Sequence, residues 1–407
     1  MNILVYADVD MNLTDGSSIW LSSLVQVLAR DPSNAVEVLL KARITKDLLL
    51  QDLRKLPNVM LTDPYQAFPG FGFQNKNRMV PEDAIRILQK LTQQKEYHCM
   101  LFRGLEVCKK AVATLEEPGR IIPYFTGFND DPDLVSKEEK EELQALVSKA
   151  RLVFLQTEEM KSTFQKIVGS RTAEIAVLPP MVPDFPEKEP EFRNKNNALV
   201  YVGKFSNDYF VFESLQAFGI LKDEGYRFNI AGDKFHLDLK VPREKMIEMM
   251  EQTPGVNWAK ALGREEVSDF IENADLGLCW RSETIDNERS MELSTKLLEY
   301  GRLGKPVLVR RIPIHERLLG TDYPFFVDTA EDLVQKIRLA FTNPELYEKA
   351  ARKTYHVSLD HSFTRISETI LPSLDIFRDN WKMNTNPITD KQSGISFWNK
   401  LKRRFLS

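Results

Sequence analysis

Apolar residues along this chain fall into short unbroken runs and longer periodic stretches, and the two kinds alternate. The run NILVYA at 2–7 predicts a strand buried on both faces. Asp15, Gly16, Ser17 and Ser18 then open a predicted helix over 19–29, with Leu21, Leu24, Val25 and Leu28 at helical spacing. Residues 36–40 predict a second strand. Helix and then strand recur at 84–91 with 98–102, and at 138–150 with 152–155. Strands alternating with helices predict a parallel sheet covered on both faces.

The rhythm breaks at 177–192, VLPPMVPDFPEKEPEF, where five prolines and several acids read as a linker. It then restarts with strands at 198–202, 227–231, 276–279 and 306–309, and helices at 210–221, 265–272 and 294–302. Mostly helices follow, at 331–341, 344–355 and 362–382. The pattern predicts two Rossmann-like, doubly wound α/β domains, 1–180 and 198–361, joined by a linker at 181–197. A last helix is expected over 362–383. Residues 384–407 read as a flexible linker, NTNPITDKQSG, and a short basic, aromatic tail.

Length supports the division, because 407 residues exceed what one core usually organises. A net charge of -4 argues against a nucleic-acid partner. Cys99, Cys108 and Cys279 form no CxxC pair and give no disulfide framework, which fits a reducing compartment. The first residues lack the basic flank and long apolar core of a signal peptide. No stretch approaches the roughly 18 uncharged apolar residues of a membrane helix. The expected location is cytoplasmic, with any membrane met from its surface.

Three constellations could carry chemistry. Tyr201-Val-Gly203-Lys204 ends a predicted strand; glycine lets a ligand approach the backbone and lysine can place a charge on a phosphate. An ordinary strand-end glycine beside a surface lysine fits the same residues. Ser294 and Thr295 start a helix, where free N–H groups and the positive dipole end favour an anion. Lys296 adds charge in that first turn, and Glu299 at i+3 is suited to accept both hydroxyl protons of a ribose. An i,i+3 ion pair on a plain helix is the competing reading. Gly16 and Ser17 follow the first strand, where dinucleotide folds place a phosphate loop, but no GxGxxG is present. A plain capped helix fits equally.

Asp8-Val-Asp10 and the acid-rich 129–133 are read as solvated turns, although the second could hold a cation. No His and Cys cluster has zinc spacing, and none of the five histidines completes a hydrolase signature.

Taken together, LVYVGKF (199–205), FNIAGD (228–233), VNWAKALGREEVSDFIENADLGLCW (256–280) and ELSTKLLEYGRLGKPVLV (292–309) resemble the donor-binding domain of GT-B glycosyltransferases of the retaining family 4 type. The first domain is similar in layout only, through NILVYA, DGSSIW, LFRG, PYFTGFND, LQTEEM and VLPPMVPD. The resemblance implies a GT-B fold and transfer of a sugar from a nucleotide-diphosphate donor. Gly203 and Lys204 would approach the diphosphate, Lys296 would lie near it, Ser294 and Thr295 would supply N–H groups and hydroxyls, and Glu299 would bind the ribose. Arg281 joins this donor set. The first acid of the family's paired-glutamate motif falls on Met291, so Glu292 or Glu288 would replace it. The family's first-domain histidine is absent, so Asn129 or Asp130 would stand in as catalytic groups beside Lys204 and Lys296. Gly16, Ser17, Arg103 and Asn129 form the expected acceptor side.

The resemblance further implies retention at the sugar carbon, no metal and no cofactor, the nucleotide sugar being a substrate. The acceptor would be a glycan, a lipid-linked molecule or a protein, in cell-envelope or surface glycan synthesis. The helix at 362–382 would cross back to the first domain, and closure would be a hinge motion. In the tail, Phe397, Leu401 and Phe405 at i, i+4 and i+8 with Lys400, Lys402, Arg403 and Arg404 suit an anionic membrane surface, at the inner face of the cell membrane. A frayed end or a partner-docking helix fits the tail as well. Two competing readings are a non-catalytic partner subunit that binds an acceptor protein, supported by Met291 and the missing histidine, and a sugar-nucleotide epimerase.

Overall fold

Strands in which every residue is apolar can be buried only if both faces of their sheet are covered, and two such sheets organise the chain. The computed structural model describes residues 1–378 apart from Thr14, Asp130, 170–172 and Asp238, with only the backbone considered at Arg264 and Glu265. The first sheet contains β1 (Asn2–Ala7), β2 (Ala35–Leu39), β3 (Val59–Thr62), β4 (Cys99–Arg103), β5 (Ile121–Phe125), β6 (Leu152–Leu155) and β7 (Glu174–Val177). Its order is β3-β2-β1-β4-β5-β6-β7, with every pair parallel. The second contains β8 (Ala198–Val202), β9 (Arg227–Ala231), β10 (Val256–Trp258), β11 (Leu276–Leu278) and β12 (Val307–Leu308), in the parallel order β10-β9-β8-β11-β12.

In each sheet the strand order reverses once, between β1 and β4 and between β8 and β11. Crevices open at such switch points beyond the carboxyl ends of the strands, so topology alone marks two ligand-binding edges.

The second domain shows how sequence fixes the position of one edge. Gly277 in β11 has no side chain, and a β-carbon there would stand 2.2 Å from the ring of Tyr300. The helix Thr295–Arg302 can therefore lay Tyr300 flat on the sheet, where its hydroxyl accepts from the Val202 N–H at 3.0 Å. Gly301 permits equally close packing on the helix Pro344–Leu359, because a β-carbon would meet the Thr354 carbonyl at 2.4 Å. One tyrosine thus ties the last turn of the helix Thr295–Arg302 to the end of β8.

Two chain crossings join the domains and run side by side. The Val182 N–H donates to the His361 carbonyl, and the Phe363 N–H donates to the Val182 carbonyl, each at 3.0 Å. The helix Phe363–Ser373 then packs on the first domain, with Phe363, Ile366 and Ile370 in one buried cluster with Trp20, Leu24 and Leu28. The residues after 378, including the tail expected to meet a membrane, lie outside the described residues. No helix among the described residues is long and apolar enough to cross a membrane.

Candidate active site

The two switch-point edges face each other across a cleft of about 850 Å³. On the second domain's wall, β8 ends in Val202, Gly203 and Lys204. Gly203 N–H donates to the Ala231 carbonyl at 2.9 Å, and a β-carbon on Gly232 would fall 2.0 Å from the Gly203 carbonyl oxygen. The ends of β8 and β9 can come this close because Gly232 has no side chain. Lys296 rises from the first turn of its helix beside Gly203. Its Nζ lies 4.5 Å from the centroid of the Tyr209 ring, and Lys204 Nζ lies 5.2 Å from the same ring. Neither lysine has an ion pair among the described residues. Two ammonium groups thus converge over one aromatic face, beside the open amino end of a helix.

Ser294 is the N-cap of that helix, yet its hydroxyl makes no capping bond, and both it and Thr295 line the cleft. Glu299 lines the cleft one turn along the helix. Ala231, Gly232, Ala261, Leu262 and Val267 add apolar lining to the same cleft.

Arg281 also reaches the cleft, but its guanidinium is buried in a two-point pair with Asp286. Burial works against its charge, and the Asp286 carboxylate overrides that and raises its pKa. Its neighbour in the cleft is Glu292. This carboxylate is open to the cleft, yet the walls surround it with protein. Burial raises its pKa, and the Arg281 and Arg103 guanidinium groups pull it back in part.

Met291 and Glu292 resolve the displaced acid motif. Met291 is 7 % exposed and belongs to the first domain's core, in the cluster that holds Phe125, Leu155 and Phe164. Its carbonyl accepts from the Thr157 hydroxyl at 2.6 Å. Consecutive side chains on an extended segment point opposite ways, so Glu292 faces the cleft. Glu288 does not line it.

The first domain supplies the opposite wall. Asp15 caps the helix Gly16–Leu28, and Gly16, Ser17 and Trp20 line the cleft from its first turns. Arg103 closes β4, donates to the Ser17 hydroxyl at 3.0 Å, and lies 5.4 Å from the centroid of Trp20. Trp20 is stacked on Tyr124, with centroids 4.3 Å apart. Thr126 and Gln156, from the ends of β5 and β6, complete the floor.

Asn129 is not brought to this cleft. Its side chain accepts from the Asp131 N–H in a turn, and Asp131 pairs with Arg289 of the second domain. Asn129 is partly exposed but does not line the cleft, so the catalytic and acceptor roles expected of it gain no support. Asp130 lies outside the described residues. Asp8 pairs with Lys41 and Asp10 holds Asn12, which makes both of them turn residues. Among the described residues no group of His, Cys, Asp and Glu could hold a metal ion. Tyr209, Trp20, Thr126 and Gln156 were not singled out from sequence. Only Gly232, in FNIAGD, carried a signal, a glycine just after a strand.

The fold has known counterparts. Residues 184–357 match the family model described as Glycosyl transferases group 1. HepE from Anabaena, solved in complex with UDP and glucose, is 13% identical with a TM-score of 0.63, covering 92% of this chain and 100% of that one. Sucrose-phosphate synthase from Thermosynechococcus elongatus is 9% identical with a TM-score of 0.65, covering 94% and 100%. TarM from S. aureus, solved with UDP and alpha-GlcNAc-glycerol, is 10% identical with a TM-score of 0.62, covering 92% and 99%. No curated protein matches the chain. The chain has the GT-B fold, and most of its second domain is similar to the glycosyl transferases of group 1.

Proposed function

We propose that the chain transfers a hexosyl group from a uridine diphosphate sugar to an acceptor hydroxyl, with retention at the sugar carbon and without a metal ion. The observation that carries this reading is the convergence of Lys204 and Lys296 over Tyr209, beside the strand-end Gly203 and the amino end of the helix Thr295–Arg302. When the sugar–phosphate bond breaks, its electron pair stays on the diphosphate. Two fixed ammonium groups and oriented N–H groups stabilise that charge where it develops. The acceptor oxygen forms the new bond and gives up its proton. Glu299 meets the ribose and the apolar lining at Ala231, Ala261 and Leu262 takes the base.

Uridine as the base is supported by the UDP bound to HepE and TarM. Retention rests on the resemblance to family 4. A cytoplasmic location is supported by three free, buried cysteines. A role in cell-envelope or surface glycan synthesis, and contact of residues 395–407 with anionic membrane, rest on the tail's sequence alone.

The test is nucleotide release from a panel of UDP-, GDP- and TDP-sugars, with and without EDTA. UDP release that EDTA does not change is the expected result. A protein that neither binds nor turns over any nucleotide sugar would be a partner subunit instead. Glu292 in the cleft weakens one support for that alternative, the methionine at 291, while the missing first-domain histidine remains the other.

A further inference from the structure

Apart from the exposed Lys46, the cations of the cleft divide into three groups. Lys234 and Arg281 have carboxylate partners, Asp15 and Asp286. Lys204 and Lys296 stand on the second domain's wall, where the diphosphate is placed. Arg103 stands on the opposite wall and has neither arrangement. Among the described residues, no carboxylate lies within ion-pair distance of it. Its guanidinium donates to two neutral hydroxyls, Ser17 at 3.0 Å and Thr126 at 3.5 Å, and its Nε is buried without a partner.

A guanidinium withdrawn from water needs a counter-charge, and leaving it without one is costly. The groups that hydrogen-bond to it are neutral, and the Glu292, Asp15 and Asp8 carboxylates act on it only from beyond ion-pair distance. Trp20 Nε1, Tyr124 Oη and Gln156 Oε1 are buried without good hydrogen bonds in the same floor. The Trp20 ring, backed by Tyr124, holds the guanidinium plane in place. A rigid, partly desolvated fork of donors matches phosphate or carboxylate, which it can bind at two points. Its position is the switch point of the first sheet, between β1 and β4, where the partner of the donor must lie.

We infer that the acceptor is itself an anion, and that Arg103 with Ser17 receives a phosphate or carboxylate group of it at the end of β4. The inference rests on the donor reading above, since it takes the diphosphate to be held by Lys204 and Lys296. The anionic group orients the acceptor and the transferred sugar goes to one of its hydroxyls, so Arg103 sets specificity and does not touch the bond that breaks.

The experiment uses the full chain. UDP affinity is measured first by calorimetry. The UDP-saturated protein is then titrated with three matched probes: methyl glucoside, glucose 6-phosphate and glucuronate. At least one anionic probe is expected to bind tenfold or more tightly than the neutral one, and the phosphate and carboxylate arms tell which group is taken. Arg103→Gln should erase that preference and leave UDP affinity within twofold, while Arg103→Lys restores part of it. Equal binding of all three probes by the wild type overturns the inference. So does a tenfold loss of UDP affinity in Arg103→Gln, which would assign the guanidinium to the donor. If that variant melts early, Ser17→Ala, which removes the hydroxyl that aims Nη2, should weaken anion preference severalfold, and an unchanged preference overturns the inference. Wild-type protein that binds no UDP defeats the donor reading instead, and the same titration on free protein still decides the Arg103 site.

Discussion

A β-carbon on Gly203 would stand 2.7 Å from Cε of Lys296 and 3.2 Å from its Nζ. The absence of a side chain at the end of β8 is thus what lets the lysine lie against the backbone beside the cleft. Gly203→Ala should push Lys296 aside. We expect kcat/KM for the donor to fall tenfold or more, and the melting temperature to fall as well, because Gly203 has a φ of 156° that strains an alanine even where the flexible lysine yields. Unchanged kinetics would mean that Lys296 works from some other position.

Removing the ammonium groups tests the same wall directly. Loss of one preorganised donor to developing charge typically costs about 10²–10³ in rate. Lys296→Ala and Lys204→Ala should each lower kcat on this scale, measured as UDP release at saturating donor. Neither lysine is ion-paired among the described residues, so thermal melts should change little. If both variants turn over at the wild-type rate, the charge is stabilised elsewhere.

How far the sequence reveals this arrangement depends on burial. β1, β8 and β9 are evident as apolar runs, and their observed bounds match the runs. β3 and β7 are edge strands, partly exposed, with Glu174 opening β7, so their sequences carry no such run. The helix expected at 210–221 begins at Val211, because Phe210 takes a left-handed conformation with φ 46° as its cap. Within the site, Gly203, Lys204, Lys296 and Glu299 could be placed from sequence because each sits at a strand end or in the first turns of a helix. Tyr209, Trp20 and Gln156 could not. Their places come from contacts between distant segments, and their neighbours in sequence have no period that would mark them. The identity of the acid in the loop before residue 294 was ambiguous for the same reason, and only the docking of Met291 into the other domain settles which side chain turns inward.

That docking has an energetic consequence. Met291→Glu would restore the acid at the family's usual position, but here the side chain enters an apolar core. A carboxylate without a partner in such a place costs several kcal/mol or stays protonated. The variant should unfold earlier and gain no activity, whereas Met291→Leu, of similar volume, should cost less than about 1.5 kcal/mol. Chemical denaturation and donor turnover of the two proteins are the measurements. A Met291→Glu protein that is as stable as wild type and more active would show that residue 291, not 292, faces the substrate.

Glu292 gives the site a pH signature. Its pKa is raised first by burial in the cleft, against the partial pull of Arg281 and Arg103. A carboxylate with a raised folded-state pKa is easier to protonate in the native protein than in the unfolded chain. Its contribution to stability is therefore fully present below the ordinary glutamate value, about 4.3, and is lost as pH rises through the folded-state pKa. Above that window the charged form opposes folding. Glu292→Gln removes this term, so its stability relative to wild type should be greatest at neutral pH and shrink as pH falls towards about 4. Melting temperatures of both proteins across that range give the comparison. Donor turnover in the variant should drop while UDP affinity persists, because the carboxylate lies between Arg281 and Arg103 of the two walls and forms no ion pair with Lys204 or Lys296. A stability difference that grows towards acid pH would instead mean that the two guanidinium groups outweigh burial and hold the carboxylate charged.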